Sequence, residues 1–403
     1  MNNQRDISSA CDDRSAVVLP ALRDRVVRDV VRAWRELTRG VAQSGREDAK
    51  LVDTLVACSG GADSTALLLA LRAATRRLVV GHVVHDLRPA EECEAERDRV
   101  RELADALGLP FLEARVIARR AEGEGGGTHG PRNLEARARR LRYAALAEMA
   151  RASGAAFVAT AHHADDQLET LVMALLRGAG PQGLRGIAPC RRLEGGPQED
   201  LTAHKPGSSG GVWLIRPMLS VRRAEAEELC RRCGVQWNED PSNHDSSRLR
   251  AALRHGPLRK LAELRPEGAR RAGRTAELMR EAAMLVQERV ERVFGPCGET
   301  SECSGSASMG DEAGDPRAGR THGSRRTSWG RDALRSESEL VIAAGLRRHV
   351  LRLTGGEGAD RFSSHLIKPV IRAIKDASTE TRRFAWPFGV HVEVTSRLVT
   401  IQA

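Results

Sequence analysis

Between Leu51 and Gly178 the chain alternates short apolar runs with longer stretches whose apolar residues recur every three to four positions. Leu51–Cys58, Leu78–Val84, Pro110–Ile117 and Ala155–Thr160 have the length and content of strands. Ser64–Ala74, Ala90–Leu107, Asn133–Ala152 and Ala164–Leu176 have the helical period, and Gly108 and Gly178 stop two of them. Strands alternating with helices predict parallel pairing through right-handed crossovers, hence an α/β fold with helices on both faces of a parallel sheet. Ligands of such sheets bind at the carboxyl ends of the strands. Ahead of this region, residues 21–39 read as an amphipathic helix.

Downstream the pattern changes. Residues 194–211 are rich in Gly, Ser and Pro and read as an insertion, and 297–337 combine Ser, Gly and Arg with almost no apolar residues, as a disordered linker does. Glu339–Leu353 and Ser364–Ala377 read as helices and Val390–Ile401 as a strand or hairpin. The expected division is an N-terminal extension over 1–48, an α/β domain over 49–245, a helical region over 246–296, a linker over 297–337 and a small α+β domain over 338–403. No internal repeat is present.

Composition narrows the picture only a little. Of 403 residues only 3% are aromatic, so Ala, Leu and Val must fill the core, which suits helices on a sheet better than a β-sandwich. Lys+Arg exceed Asp+Glu by 64 to 54, a surface that attracts polyanions without proving a nucleic-acid partner. The eight cysteines form no regular framework, Cys230 and Cys233 being a single close pair that reads as structural. The start lacks the apolar core of a signal peptide, and there is no run of about 18 apolar residues, so a cytoplasmic protein without membrane association is expected.

Candidate chemistry concentrates in two segments. Ser59-Gly60-Gly61-Ala62-Asp63-Ser64 lies directly between a strand and a helix. Two glycines allow close approach of the backbone, and the amides of a helix start attract an anion, so the segment reads as a phosphate cradle. Ser59 and Ser64 can add hydroxyls, while Asp63 is better suited to Mg²⁺ than to phosphate. The alternative is a helix merely capped after a glycine turn. No Gly-x-x-x-x-Gly-Lys-Ser/Thr loop occurs, and Gly125-x-Gly127-x-x-Gly130 sits in a loop-like context and is set aside. In Thr160-Ala161-His162-His163-Ala164-Asp165-Asp166-Gln167-Leu168-Glu169-Thr170, Asp166 and Glu169 share one helix face. Such a pair can bind a divalent metal or an ammonium group, and the histidines can contact phosphate or shuttle a proton; a capping cluster is the plainer alternative.

The first segment resembles the PP-loop of the ATP pyrophosphatases, and the second, continuing into Leu175-Leu176-Arg177-Gly178-Ala179-Gly180-Pro181-Gln182-Gly183-Leu184, resembles the signature of the tRNA(Ile)-lysidine synthase family. Further similarities follow in order. His82-Val83-Val84-His85-Asp86-Leu87-Arg88 is similar to the family's His-x-Asn/Asp-His-Gly-Leu-Arg, departing at Val84 and Asp86. The helix running from Asn133 to Tyr143, Arg216-Pro217-Met218-Leu219, Asp240-Pro241-Ser242-Asn243 and Arg250-Ala251-Ala252-Leu253-Arg254-His255 also match, with Ala251 where Asn is usual. The resemblance covers residues 51–260, and Leu346–Ile401 more weakly; the further C-terminal domain of large relatives is not expected here.

The resemblance implies a reaction in two steps. ATP with Mg²⁺ adenylates C2–O of the wobble cytidine in the CAU anticodon of tRNA(Ile), and the ε-amine of L-lysine then displaces AMP. Ser59, Gly60, Gly61, Ala62, Asp63 and Ser64, with His85 and Arg88, would bind the nucleotide, and Asp63 the metal. Asp63, His162, Asp166, Glu169 and Arg250 would form the catalytic set: the two helix carboxylates on the lysine amine or metal, and His162, Arg88 and Arg250 against phosphate charge. A PP-loop tRNA thiolase using Cys230 and Cys233 is the alternative enzyme. A nucleotide-regulated RNA-binding adaptor is a third reading, which the presence of Asp63, Asp166 and Glu169 disfavours. The sequence leaves a homodimer open.

Overall fold

In the computed structural model, residues 17–39, 54–119, 131–193, 211–238, 249–295, 326–355, 362 and 364–403 are described. The 125–130 glycines, the Asp240–Asn243 element, residues 1–16 and most of the 194–211 and 297–337 segments lie outside them. The chain divides into two compact units, Met1–Arg280 and Glu281–Ala403.

The first unit is the expected α/β sheet. β1 (Thr54–Ala57), β2 (Leu78–His85), β3 (Phe111–Val116) and β4 (Phe157–Ala159) alternate with α2 (Ala62–Ala74), α3 (Ala90–Ala106), α4 (Pro131–Ser153) and α5 (Ala164–Leu176). Two strands were not foreseen: β5 (Cys190–Arg192) and β6 (Trp213–Ile215), which flank the 194–211 insertion and are too short to show a period. The order is β3-β2-β1-β4-β6-β5, parallel throughout except for the antiparallel edge strand β5.

Local chemistry explains these elements. α2 is apolar all round over Ala66–Leu71, all fully buried, because the middle of a central helix on a covered sheet has no wet face. Gly81 in β2 lies against Leu55 of β1; a Cβ there would fall 2.6 Å from Leu55 Cδ2, so only glycine lets the strands keep this packing. α1 (Arg25–Thr38) is the expected amphipathic helix. Asp24 caps it by accepting from Val26 N at 2.8 Å and Val27 N at 3.3 Å. Its Val26, Val27, Val30, Val31 and Trp34 are buried, and Trp34 Nε1 donates to Thr54 Oγ1 at 3.0 Å. α6 (Arg223–Arg232), α7 (Leu249–His255), α8 (Pro257–Leu264) and α9 (Gly268–Phe294) follow.

The second unit holds an antiparallel sheet in the order β7-β10-β9-β8, from β7 (Arg326–Gly330), β8 (Arg382–Ala385), β9 (His391–Val394) and β10 (Leu398–Gln402), with α10 (Arg331–Arg335), α11 (Glu339–Leu353) and α12 (Ser364–Lys375). The expected linker is therefore corrected at its end, since residues 326–335 form β7 and α10. Their polar composition hid them: β7 is an edge strand with Trp329 alone buried. The C-terminal unit also begins earlier than position 338, because Val290 and Phe294 of α9 join its core. Buried Arg331 ties it together, its guanidinium donating to the carbonyls of Ala373, Ile374, Asp376, Ser378 and Thr395. Among the described residues no helix is long and apolar enough to cross a membrane.

Candidate active site

The loop after β1 is shaped by its two glycines. Gly60 has φ +81°, and a Cβ there would meet Val100 Cγ2 at 3.2 Å and Glu96 Cγ at 3.3 Å. Gly61 is the N-cap of α2 and brings no capping side chain, so the first-turn amides are left to an anion. Ser64 Oγ accepts from Ser59 N at 3.1 Å and donates to Gly61 O at 3.0 Å, with Ser59 Oγ 3.2 Å away. Ser64, expected as a phosphate donor, thus also ties the loop together. His82 Nδ1 lies 2.8 Å from Cys58 O; burial pushes its pKa down, so a neutral ring donates here and fixes the chain entering the loop. Asn238 N donates to Gly60 O at 3.0 Å, a contact no motif announced.

Asp63 sits on the first turn of α2. Its Oδ1 is buried without a hydrogen-bond partner, and its Oδ2 lies 3.5 Å from His163 Nε2. An orphaned carboxylate oxygen beside a phosphate cradle fits a divalent cation whose other ligands come from phosphate and water. Among the described residues no group of three His, Cys, Asp or Glu could hold a metal alone.

Facing this loop, the N-terminus of α5 carries the second cluster. His163 caps the helix, its backbone N donating to Asp166 Oδ2 at 3.2 Å. Burial would lower the His163 pKa, but Asp166, Asp63 and Asp165 outweigh it and raise the ring to about 9. As an imidazolium it cannot accept from Asp166 N, so that 3.3 Å approach to Nδ1 is a contact only. Asp166 is held ionised below its usual range: burial opposes this, and His163 and Arg250 outweigh it.

The paired carboxylates are not open. Arg250 Nε lies 2.7 Å from Glu169 Oε2 and its Nη2 2.9 Å from Asp166 Oδ1. Arg254 approaches Glu169 with Nε at 2.5 Å and Nη2 at 3.0 Å. Glu169 is only 2% exposed, so α5 and α7 share an acid–guanidinium knot whose acid side is buried. Both arginines of the Arg-x-x-x-Arg spacing point the same way, one turn apart, and Ala251 does not disturb this. Arg250, expected on phosphate, is thus found on the acids.

Other expected residues surround the loop. Arg88 pairs with Glu96, whose Cγ borders Gly60. His85 lies at the end of β2 with Nδ1 buried and unbonded. Asp86, where the sequence departs from the family pattern, accepts from Ala118 N at 2.7 Å and Arg119 N at 2.9 Å, tying the ends of β2 and β3. His162, expected against phosphate charge, is bonded to Thr160 Oγ1 at 3.1 Å, and burial first, then the Arg216 charge, push its pKa to about 3, so the ring is neutral. Tyr143, the chain's one tyrosine, has guanidinium carbons of Arg139, Arg191 and Arg142 at 5.2, 4.9 and 5.8 Å from its ring centre. Buried Arg216 lies beside it, lowered to about 10 by burial, and donates to Ala188 O at 2.5 Å.

Gln167 was missed by motif reasoning. It receives Ile187 N at 2.5 Å and donates Nε2 to Ile187 O at 3.2 Å, holding the turn after Gly183–Arg185. The thiols are spent structurally: Cys230 Sγ donates to Ala62 O at 3.4 Å and burial pushes its pKa up to about 12, while Cys58 and Cys233 are buried and raised as well.

Residues 34–261 match the family model described as a PP-loop domain. The chain is 39% identical over 244 residues to a tRNA(Ile)-lysidine synthase of Geobacter sulfurreducens, covering 60% of this chain and 46% of that one. It is 36% identical over 274 residues to a tRNA(Ile)-lysidine synthase of Novosphingobium aromaticivorans, covering 67% and 75%. The match therefore spans about half the length of the first of these relatives and three quarters of the second. Among solved structures, a U34-tRNA thiolase from Methanococcus maripaludis with its [4Fe-4S] cluster aligns with a TM-score of 0.45 and 15% identity over 64% of this chain and 79% of that one, too distant to bear on the chemistry.

Proposed function

This chain belongs to the PP-loop family, among the tRNA(Ile)-lysidine synthases, and from that premise we propose that it ligates L-lysine to C2 of the wobble cytidine in the CAU anticodon of tRNA(Ile). ATP is consumed to AMP and diphosphate through an adenylated tRNA. The observation that carries this reading is the apposition of Asp63, with an orphaned buried oxygen, and the His163–Asp166–Glu169 cluster across the phosphate loop.

In this reading the amides of Gly61 to Asp63 and the α2 dipole hold the diphosphate that leaves. Mg²⁺ on Asp63 would supply charge neutralisation between the nucleotide's phosphates. His163 beside Asp63 adds positive charge at the same edge, and Arg88 closes the far side from the Glu96 pair. Arg250 is the more exposed of the two clamp arginines, at 44% against 25% for Arg254, and it is the one that exchanges: it moves to the phosphates as the lysine ammonium takes its place on Asp166 and Glu169. The amine must be neutral to attack C2; Asp166 and Glu169 hold and orient it, and its proton leaves to water, since Asp166, kept below the usual carboxylate range, is too weak a base to retain it. The base is flipped out of the anticodon stack to reach this cleft. The thiolase alternative finds no support, since protonated, buried Cys230 and Cys233 are poor sulfur nucleophiles. We place the protein in the cytoplasm, where its tRNA substrate is.

The test is nucleoside analysis of a tRNA(Ile) transcript after incubation with protein, ATP, Mg²⁺ and lysine. A lysine adduct on the wobble cytidine supports the reading, and a sulfur adduct or an unmodified anticodon refutes it.

A further inference from the structure

The outer face of α1 carries Arg25, Arg28, Arg32, Arg35 and Arg39 at spacings of three and four residues, all exposed. That spacing keeps them on one side of the helix over about 21 Å, opposite the buried Val26, Val27, Val30, Val31 and Trp34. The helix is anchored by its inner face.

Carboxylates answer only part of this charge. Arg25 lies 3.9 Å from Asp29 and 3.6 Å from Glu225, and Arg32 lies 3.3 Å from Asp29. Arg28, Arg35 and Arg39 have no ion pair among the described residues. Arg28/Arg32 and Arg35/Arg39 are like charges one turn apart, and the two acids on this side, Asp29 and Glu36, are too few to offset five arginines. A run of guanidinium groups along one face presents a positive strip to a phosphodiester strand, whose phosphates guanidinium recognises with two parallel hydrogen bonds. The helix lies largely ahead of the matched PP-loop domain, which begins at residue 34.

We propose that the arginine stripe of α1 is a second RNA-contact surface, gripping the phosphodiester backbone of the substrate RNA away from the reacting base. The proposal rests on the RNA-substrate reading above. It requires no sequence readout, because phosphate contacts fix position and affinity while base contacts specify. The contact should act on tRNA affinity and leave nucleotide binding alone.

The test is tRNA(Ile) binding by fluorescence anisotropy over a salt series. It compares wild-type protein, the triple variant Arg28→Gln/Arg35→Gln/Arg39→Gln, and a charge-matched control Arg97→Gln/Arg99→Gln/Arg101→Gln on α3. The stripe variant should bind at least about tenfold more weakly at low salt, and the slope of log affinity against log salt should fall by about two to three. Its far-UV circular dichroism and its binding of a fluorescent ATP analogue should match wild type. The single variant Arg28→Glu, a smaller change, should move affinity in the same direction. Equal slopes for wild type and stripe variant overturn the proposal, as does an equal loss in the α3 control. If the stripe variant loses RNA binding but wild type attaches no lysine, the stripe stands and the proposed reaction fails. If wild type attaches lysine and the stripe variant binds RNA unchanged, only the stripe fails.

Discussion

His163 Nε2 lies 3.5 Å from Asp63 Oδ2, so the N-cap of α5 and the first turn of α2 meet as a charge pair beside the phosphate loop. The pair joins the two motifs at one point: strands β1 and β4 are neighbours in the sheet, and the helices that follow them start side by side. Each helix start would otherwise concentrate positive potential, and Asp63, Asp165 and Asp166 offset it.

This charge pair makes stability depend on pH with a definite sign. The folded His163 pKa of about 9 lies above the unfolded value of about 6.5, so its extra proton stabilises the fold fully below pH 6.5, and that stabilisation is lost as pH rises through 9. The expected contribution is up to about 3 kcal/mol. Urea unfolding at pH 6 and pH 9.5, in wild type and His163→Gln, checks this: the loss between the two pH values should be smaller in the variant.

Glu169 is predicted to be a structural acid as much as a catalytic one. It is 2% exposed and receives both Arg250 and Arg254. Glu169→Gln keeps the shape, removes the charge and should cost about 2 kcal/mol, the range for hydrogen bonds to charged groups. Hydrogen exchange should quicken in residues 249–255, because α7 is held to α5 chiefly through this knot.

Much of the fold was legible because the first unit alternates strand and helix with clear periods, and because Ser59–Ser64 sits where β1 must turn into α2. The short β5 and β6 were not, since three residues carry no period, and β7 was hidden by an edge strand that buries only Trp329. Asp63, Asp166 and Glu169 were singled out by residue type and spacing, and the structure brings the three to the start of α2 and α5. Their partners were harder to read. That Arg250 would sit on the acids and that His162 would be neutral depend on burial and on neighbours many residues away, which spacing does not encode.

Gly60 should tolerate no side chain. Its φ of +81° and the 3.2 and 3.3 Å approaches to Val100 and Glu96 mean that Gly60→Ala strains the backbone and pushes on α3. Affinity for ATP should fall by about tenfold or more, the equivalent of about 1.4 kcal/mol, when titrated calorimetrically. A variant with unchanged affinity would remove the loop from the nucleotide site.

Cys230 and Cys233 should be dispensable for chemistry. Cys230→Ala and Cys233→Ala lower thermal stability through small cavities under α2, while lysine attachment to tRNA continues. Loss of attachment in a variant that still melts cooperatively would return the cysteines to the mechanism.

The most direct measurement follows labelled lysine and released pyrophosphate together, with tRNA(Ile) transcript and ATP, in wild type and Asp63→Asn. The account predicts tRNA-dependent pyrophosphate release with label transferred to RNA in wild type, and loss of both in the variant with tRNA affinity intact. Pyrophosphate release from wild type without label in the RNA, or full activity in Asp63→Asn, would contradict it.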